Sequence, residues 1–460
     1  MYTYKIGTDI LSVWDAIFPI FYITLIFIYA YVVRIRKINK YPEYKYFIPG
    51  LFAKIFGSIA FIAVYIFHYV DGDTLMYFQS TESLFNLAFK DFVKFVEIML
   101  GKLTYENASA FGPDIGYPYY YFDPNSYSVV RFSVPFFLLS GKSFVAITIL
   151  IAAFTYSGLW KLFRLLVQIF PKSIKTSAFS VLFIPSTLFW GSGLLKDSYT
   201  LMATCYFFIS FYYLFVLRKQ ITKHIFLILF ASFILISIRP YIFFAVVVST
   251  LLSIIHANMK IIQNRILKTL IFPILIAVVF IVGTNIILTT GQIVGGYYSS
   301  LDNLLKQAVE IQEDLTREYY GGNSFNIGKF EPTIPGVLSK THLAITAGLY
   351  RPFIWEAKNI PSLIAATENF IFLFMTFYVL LLSILTWRKH GFIYMQKIVL
   401  SDSFIVFSLI FSFVFAFIIG ITTANFGALV RYKIPLIPFF MASLFIIITN
   451  FNIEKDKINE

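Results

Sequence analysis

The sequence predicts an all-α polytopic membrane protein with about eleven transmembrane helices and two large extracytoplasmic loops. Three observations lead there. Of its 460 residues, 58% are hydrophobic and only 13% charged, whereas soluble domains carry about 25% charge. The apolar residues gather into runs of the roughly 20 residues that a helix needs to cross a bilayer. The basic residues gather between those runs. Other classes are excluded by the same composition. Fifty-five Phe and thirty-one Tyr exceed what one soluble core of this size can hide, and disorder requires low hydrophobicity. A single cysteine, Cys205, permits neither an intramolecular disulfide nor a cysteine-based metal cluster.

Taken in order, the expected spans are 14–33, 47–67, 142–162, 176–195, 199–217, 224–238, 241–256, 269–289, 367–387, 398–420 and 434–450. The stretch 224–256 holds two shorter runs interrupted by Arg239-Pro240. Proline lacks a backbone donor and disfavours helix before it, so a short hairpin with Arg239 at its tip is expected; one kinked helix is the competing reading. No cleavable signal peptide, internal repeat, low-complexity segment or appended soluble domain is evident. Residues 1–460 read as one membrane domain.

Orientation follows from lysine and arginine in the short loops. Segments 34–46, 161–175, 218–224, 257–268 and 388–397 together hold eighteen basic residues and one acid, Glu43. With eleven spans all five fall on one face, which is therefore cytoplasmic, with the N-terminus outside and the C-terminus inside. These loops more than account for the net charge of +13. The basicity is a topology signal, and no nucleic acid is needed to explain it.

Residues 68–141 and 290–366 are then the two extracytoplasmic loops. The first carries eight acids and a tyrosine-rich run over 116–121. Leu84, Leu87, Phe92, Phe95 and Val96 recur at helical spacing, which predicts an interfacial amphipathic helix over 80–100. Long loops in compact proteins usually carry function, so any chemistry is expected outside.

Asp71-Gly72-Asp73, with Tyr77 following, falls where the second span leaves the membrane. Two carboxylates there suit a general base or a divalent-cation ligand, although Asp-Gly is also an ordinary turn pair. Arg131 starts an apolar run too short to cross before Gly141. The fourth span closes on Gly191-Ser192-Gly193, then Lys196-Asp197, which are either a local ion pair or a charged site. Arg239 requires an anionic partner or a wet cavity. In the second loop His342 is either a general base or merely solvated, and Arg351 and Glu356 either pair together or serve a substrate. Glu368 enters the ninth span, where acids are usually paired or functional. Arg431 and Lys433 open the last span, where snorkelling to headgroups accounts for them. Arg131, Lys196, Arg239, Arg351, Arg431 and Lys433 thus all occupy a face that should be poor in cations. Guanidinium groups bind phosphate bidentately. Such cations, with carboxylates and aromatic rings beside them, suit a polyprenyl-linked phosphosugar and a lipid or glycan acceptor; the tyrosines equally suit an interfacial belt.

The acidic pair with Tyr77, the segment from Arg131 to Phe144 before a span, and Ile184-Pro-Ser-Thr-Leu-Phe-Trp-Gly-Ser-Gly193 resemble the multi-spanning GT-C glycosyltransferases over roughly residues 65–260. Arg431-Tyr-Lys-Ile-Pro-Leu-Ile-Pro438 is similar to the closing spans of many bacterial envelope glycosyltransferases and polysaccharide polymerases. The resemblance implies glycosyl transfer on the outer face of the cytoplasmic membrane from a polyprenyl-phosphate donor. Asp71 or Asp73 would be the base, with Arg239 and Arg431 on the departing phosphate and a divalent cation at Asp71 and Asp73 as the one cofactor to test. The superfamily usually places this loop after its first span, not its second. The alternative is therefore the polymerase or ligase branch, which works through Arg and sometimes His of a later loop, here Arg351 and His342. A flippase or transporter is the third reading, without the inverted repeats that transporters often show.

Overall fold

The computed structural model describes residues 4–259, 300–315, 324–358 and 360–459. Among the described residues there is no strand, only isolated bridges joining Gly112 to Gly116 and Ser324 to Asn425. The helices are α1 (Trp14–Ile38), α2 (Phe47–Val64, continued by a π-turn to Tyr69), α3 (Asp73–Lys90), α4 (Phe92–Met99), α5 (Tyr105–Ala108), α6 (Pro124–Ser140) and α7 (Phe144–Ile169). There follow α8 (Ile174–Leu182), α9 (Pro185–Trp190), α10 (Lys196–Phe211), α11 (Ile221–Ile238) and α12 (Pro240–Met259). The remainder is α13 (Leu301–Leu315), α14 (Ile334–Ser339), α15 (Thr341–Tyr350), α16 (Ile360–His390), α17 (Phe392–Val399), α18 (Ser403–Ile421), α19 (Phe426–Tyr432) and α20 (Ile437–Asn459).

Among the described residues nine helical segments are long and apolar enough to cross a membrane. The protein is an all-α, multi-pass membrane protein. Those nine coincide with nine of the expected spans. The expected span 269–289 lies outside the described residues. The remaining one, 176–195, is not a single helix. Ile184 is extended and Pro185 occupies the first turn of α9, because proline cannot donate the hydrogen bond that would continue α8 and its ring clashes with the preceding turn. Near 224–256 the chain does break at Arg239, between α11 and α12.

The first loop is far more helical than its length suggested. The stretch 80–100 is divided at Asp91, whose carboxylate accepts from Lys94 N and starts α4 anew. Lipid-facing surface is plain on α1, where Ile17, Ile20, Phe21, Leu25 and Ile28 are exposed, and on α16, where Phe370, Phe374, Phe377 and Leu381 are. Such rows mark surfaces that meet hydrocarbon or another protein.

The chain divides into two compact units. The first comprises Met1–Arg164, Leu182–Cys205 and Phe233–Arg239; the second comprises Leu165–Val181, Tyr206–Ser232 and Pro240–Glu460. In the first, α2 rests on α9 with Gly57 against the Leu188 backbone. In the second, α15 and α18 approach so closely that Gly348 meets the Ala416 backbone and Gly420 meets that of Ala344. Small residues let backbones close up where lipid supplies no hydrophobic drive between helices. Gly348→Val therefore costs about 1–3 kcal/mol through overpacking, read as a lowered unfolding midpoint in detergent. Leu381→Ala, on the exposed face of α16, leaves that midpoint nearly unchanged.

Candidate functional site

A cluster of charged side chains forms at one end of the first unit, and each member is placed by a helix terminus. Gly72, at φ 133°, opens α3 so that Asp73 sits in its first turn, where the helix dipole favours a negative charge. The acidic pair thus lies just past the end of the second span, at Tyr69, and at the entrance to α3. Asp123 caps α6, accepting from Asn125 N and Ser126 N, both at 3.1 Å, with Pro124 at the first helical position where a missing donor costs nothing. Lys196 begins α10 and Asp197 follows in the same turn. Arg239 follows the last residue of α11, donating its backbone N–H to Leu235 O.

These termini converge in two layers. Lys196 Nζ lies 3.9 Å from Asp123 Oδ2, and both side chains reach solvent, at 22% and 50% exposure. Lys196 is also attracted by the Asp73 and Asp197 carboxylates and repelled by the Arg239 guanidinium. The Tyr120 hydroxyl donates to Asp73 Oδ1 at 2.9 Å, and its ring meets those of Tyr77 and Tyr119 at 4.7 and 5.0 Å. Burial, and then the Asp73 charge, pushes the Tyr120 phenol well above its ordinary range. It therefore stays a donor to Asp73 at any working pH. Beneath this layer Arg239 Nη1 donates to Asp197 Oδ1 at 2.7 Å, with both residues buried.

The position of Lys196 is unusual. A cation in the first turn of a helix opposes the dipole, so its placement depends on the surrounding carboxylates. The turn before it is tied from both sides. Ser198 Oγ donates to Gly193 O at 2.6 Å, and Lys54 Nζ, fully buried on α2, donates to Gly191 O.

Of the residues predicted from sequence, Asp73, Lys196 and Arg239 come together. Asp71 is exposed and accepts from its neighbour Gly72 N at 2.6 Å. Arg131 lies midway along α6, donating to Ser128 Oγ at 2.7 Å and abutting Gly101. Lys196 and Asp197 each have an ion-pair partner from another helix end, Asp123 and Arg239 respectively. Arg239 is consequently neutralised rather than presented to a ligand. Among the described residues no three of His, Cys, Asp and Glu gather where they could hold a metal ion.

The others belong to the second unit. Arg351 is bound through Nε and Nη2 to Glu356 and faces the rings of Phe325 and Phe426 at 4.8 and 5.8 Å. Lys433 is buried, contrary to snorkelling: its Nζ donates to Asn369 Oδ1 and to Arg351 O, and Glu368 is its charge partner. His342 stands exposed on α15, and Arg431 lies in the last turn of α19.

Sequence reasoning missed Asp123, Tyr120 and Lys54 as members, and placed Asp197 only beside Lys196. Asp123 and Tyr120 are ordinary in sequence. Lys54 had a signal, a lone cation within an apolar span. Since removing one partner strands a buried charge, Asp197→Asn or Arg239→Met each costs about 3–5 kcal/mol. The double change Asp197→Leu/Arg239→Met recovers much of that loss, as unfolding midpoints of the three variants will report.

No protein-family model, curated protein or solved structure matches the chain.

Proposed function

We propose that the protein is a glycosyltransferase of the GT-C kind, moving a sugar from a polyprenyl-(di)phosphate carrier to a lipid or glycan acceptor at the outer face of the cytoplasmic membrane during envelope polysaccharide assembly. The observation that supports this best is a carboxylate and a cation, Asp73 and Lys196, held within electrostatic reach of each other at solvent-accessible helix ends. In this reading the acceptor hydroxyl attacks the anomeric carbon as its proton passes to Asp73. The bond from that carbon to the phosphate oxygen breaks, and its electron pair leaves with the phosphate, where Lys196 offsets the charge. Tyr120 steers Asp73 by its hydrogen bond, and Tyr119, which is exposed, offers a ring face to the sugar. Arg239 acts through Asp197, positioning the first turn of α10. Arg351 is the weaker choice for a phosphate contact, because Glu356 already occupies its guanidinium. That disfavours the polymerase or ligase reading centred on it.

Asp73→Asn is expected to lower sugar transfer from a lipid-linked donor by about 10²–10⁴-fold, the usual contribution of a general base, while Asp71→Asn stays near wild type. Wild-type transfer by Asp73→Asn would sink the assignment.

The same reading places the N-terminus outside. Asp73, Lys196 and Arg239 each sit one helix away from a basic segment, at the far end of α2, α10 and α11. Cys205 is buried, so introduced cysteines report alone. With a membrane-impermeant maleimide on intact cells, Tyr119→Cys is expected to label and Lys219→Cys to remain unlabelled until the membrane is opened. The reverse pattern refutes the orientation.

A further inference from the structure

A second feature of the first unit lies at the opposite end of α2 from Asp73. A cavity of about 500 Å³ opens between α1, α2 and α7, within the range typical of small-molecule sites. Its lower wall is apolar, formed by Leu25, Ile26, Val33, Leu51 and Ala153. Its mouth is basic and aromatic. Lys37, Lys161 and Arg164 stand there beside Tyr44 and Trp160. Lys37 Nζ lies 5.5 Å from the centre of the Tyr44 ring, and the Arg164 guanidinium lies 5.2 Å from the same ring. A carboxylate, Glu43, lies 3.4 Å from Arg164 Nε, and the cations at the mouth outnumber it.

The dimensions narrow the occupant. From Leu25 to Lys37 along α1 is about 18 Å at 1.5 Å per residue. One leaflet of a bilayer's hydrocarbon is about 15 Å deep. A groove that is apolar for one leaflet's depth and cationic at its top matches an acyl chain carrying an anionic headgroup. A soluble anion would leave the apolar wall empty, and a zwitterionic lipid would bring a cation of its own against those at the mouth. Basic pockets between membrane helices recognise phosphate headgroups in this way.

We propose that the α1–α2–α7 groove is a binding site for an anionic glycerophospholipid of the leaflet adjoining the basic loops, with its phosphate against Lys37 and Lys161 and a chain along Leu25, Ile26 and Val33. The site is separate from the Asp73 cluster. From Phe47 to Tyr69 the helical path of α2 is about 33 Å, more than one leaflet, so the lipid in this groove is not the sugar donor. The proposal stands whether or not the protein transfers sugars.

The test uses the full chain, stripped of lipid in a non-ionic detergent and followed by native mass spectrometry and thermal unfolding. Phosphatidylglycerol is expected to remain bound and raise the midpoint, and phosphatidylcholine with the same chains to bind about tenfold less tightly. Lys37→Gln/Lys161→Gln is expected to weaken phosphatidylglycerol about tenfold or more while the lipid-free midpoint is unchanged. Val33→Trp, which fills the apolar wall and keeps every charge, is expected to weaken it too, so the wall is tested separately from the cations. Equal affinity of wild type and both variants, or of the two lipids, overturns the proposal. So does a midpoint shift from inorganic phosphate that equals that from phosphatidylglycerol, which would mean an anion site without a chain.

Discussion

The buried pair of Asp197 and Arg239 is the interaction on which the polar end of the first unit depends. Each charge sits where its own helix welcomes it, the carboxylate in the first turn of α10 and the guanidinium just past the last turn of α11, in accord with the two ends of the helix dipole. Neither charge is tolerable alone at that depth. Their contact therefore fixes two helix termini that are forty-two positions apart in the chain. Lys196, one residue before Asp197, is carried into place by the same turn and meets Asp123 from α6.

A membrane-spanning chain must satisfy its backbone internally, and the irregular segment before α10 shows how this one does so. Pro185 interrupts the expected fourth span, and the turn over 191–195 that follows leaves carbonyls without helical partners. Lys54 and Ser198 donate to two of them. Gly57 lets α2 lie close enough to α9 for that lysine to reach. A cation in an apolar helix, a glycine beside it and a broken span opposite are thus parts of a single arrangement.

The second unit has a polar centre of its own, built differently. Lys433 is surrounded by acceptors, with the Asn369 amide oxygen and the Arg351 carbonyl bound directly and Glu368 as its charge partner. The Asn369 amide also donates to Pro352 O at 3.1 Å, and Glu356 closes the Arg351 guanidinium. Such mutual satisfaction is what makes buried polar groups tolerable. It explains why Arg351 and Lys433, although prominent in the sequence, read as structural in the fold.

Much was legible in the chain alone. Hydrophobicity is a property of consecutive residues, so runs of apolar side chains located the nine membrane-length helices among the described residues. The Asp-Gly-Asp turn and Arg239 at a helix break were legible for the same reason, since glycine, proline and intramembrane charge act locally. Pairing is not local. Whether Arg239 meets a phosphate or Asp197, whether Lys433 reaches the headgroups or Asn369, and whether Asp71 or Asp73 meets Tyr120 are decided by which helix ends come together. That choice follows from close packing at glycines such as Gly57 and Gly348 and from the demand that every buried charge find its opposite, and neither is written in any one stretch of chain.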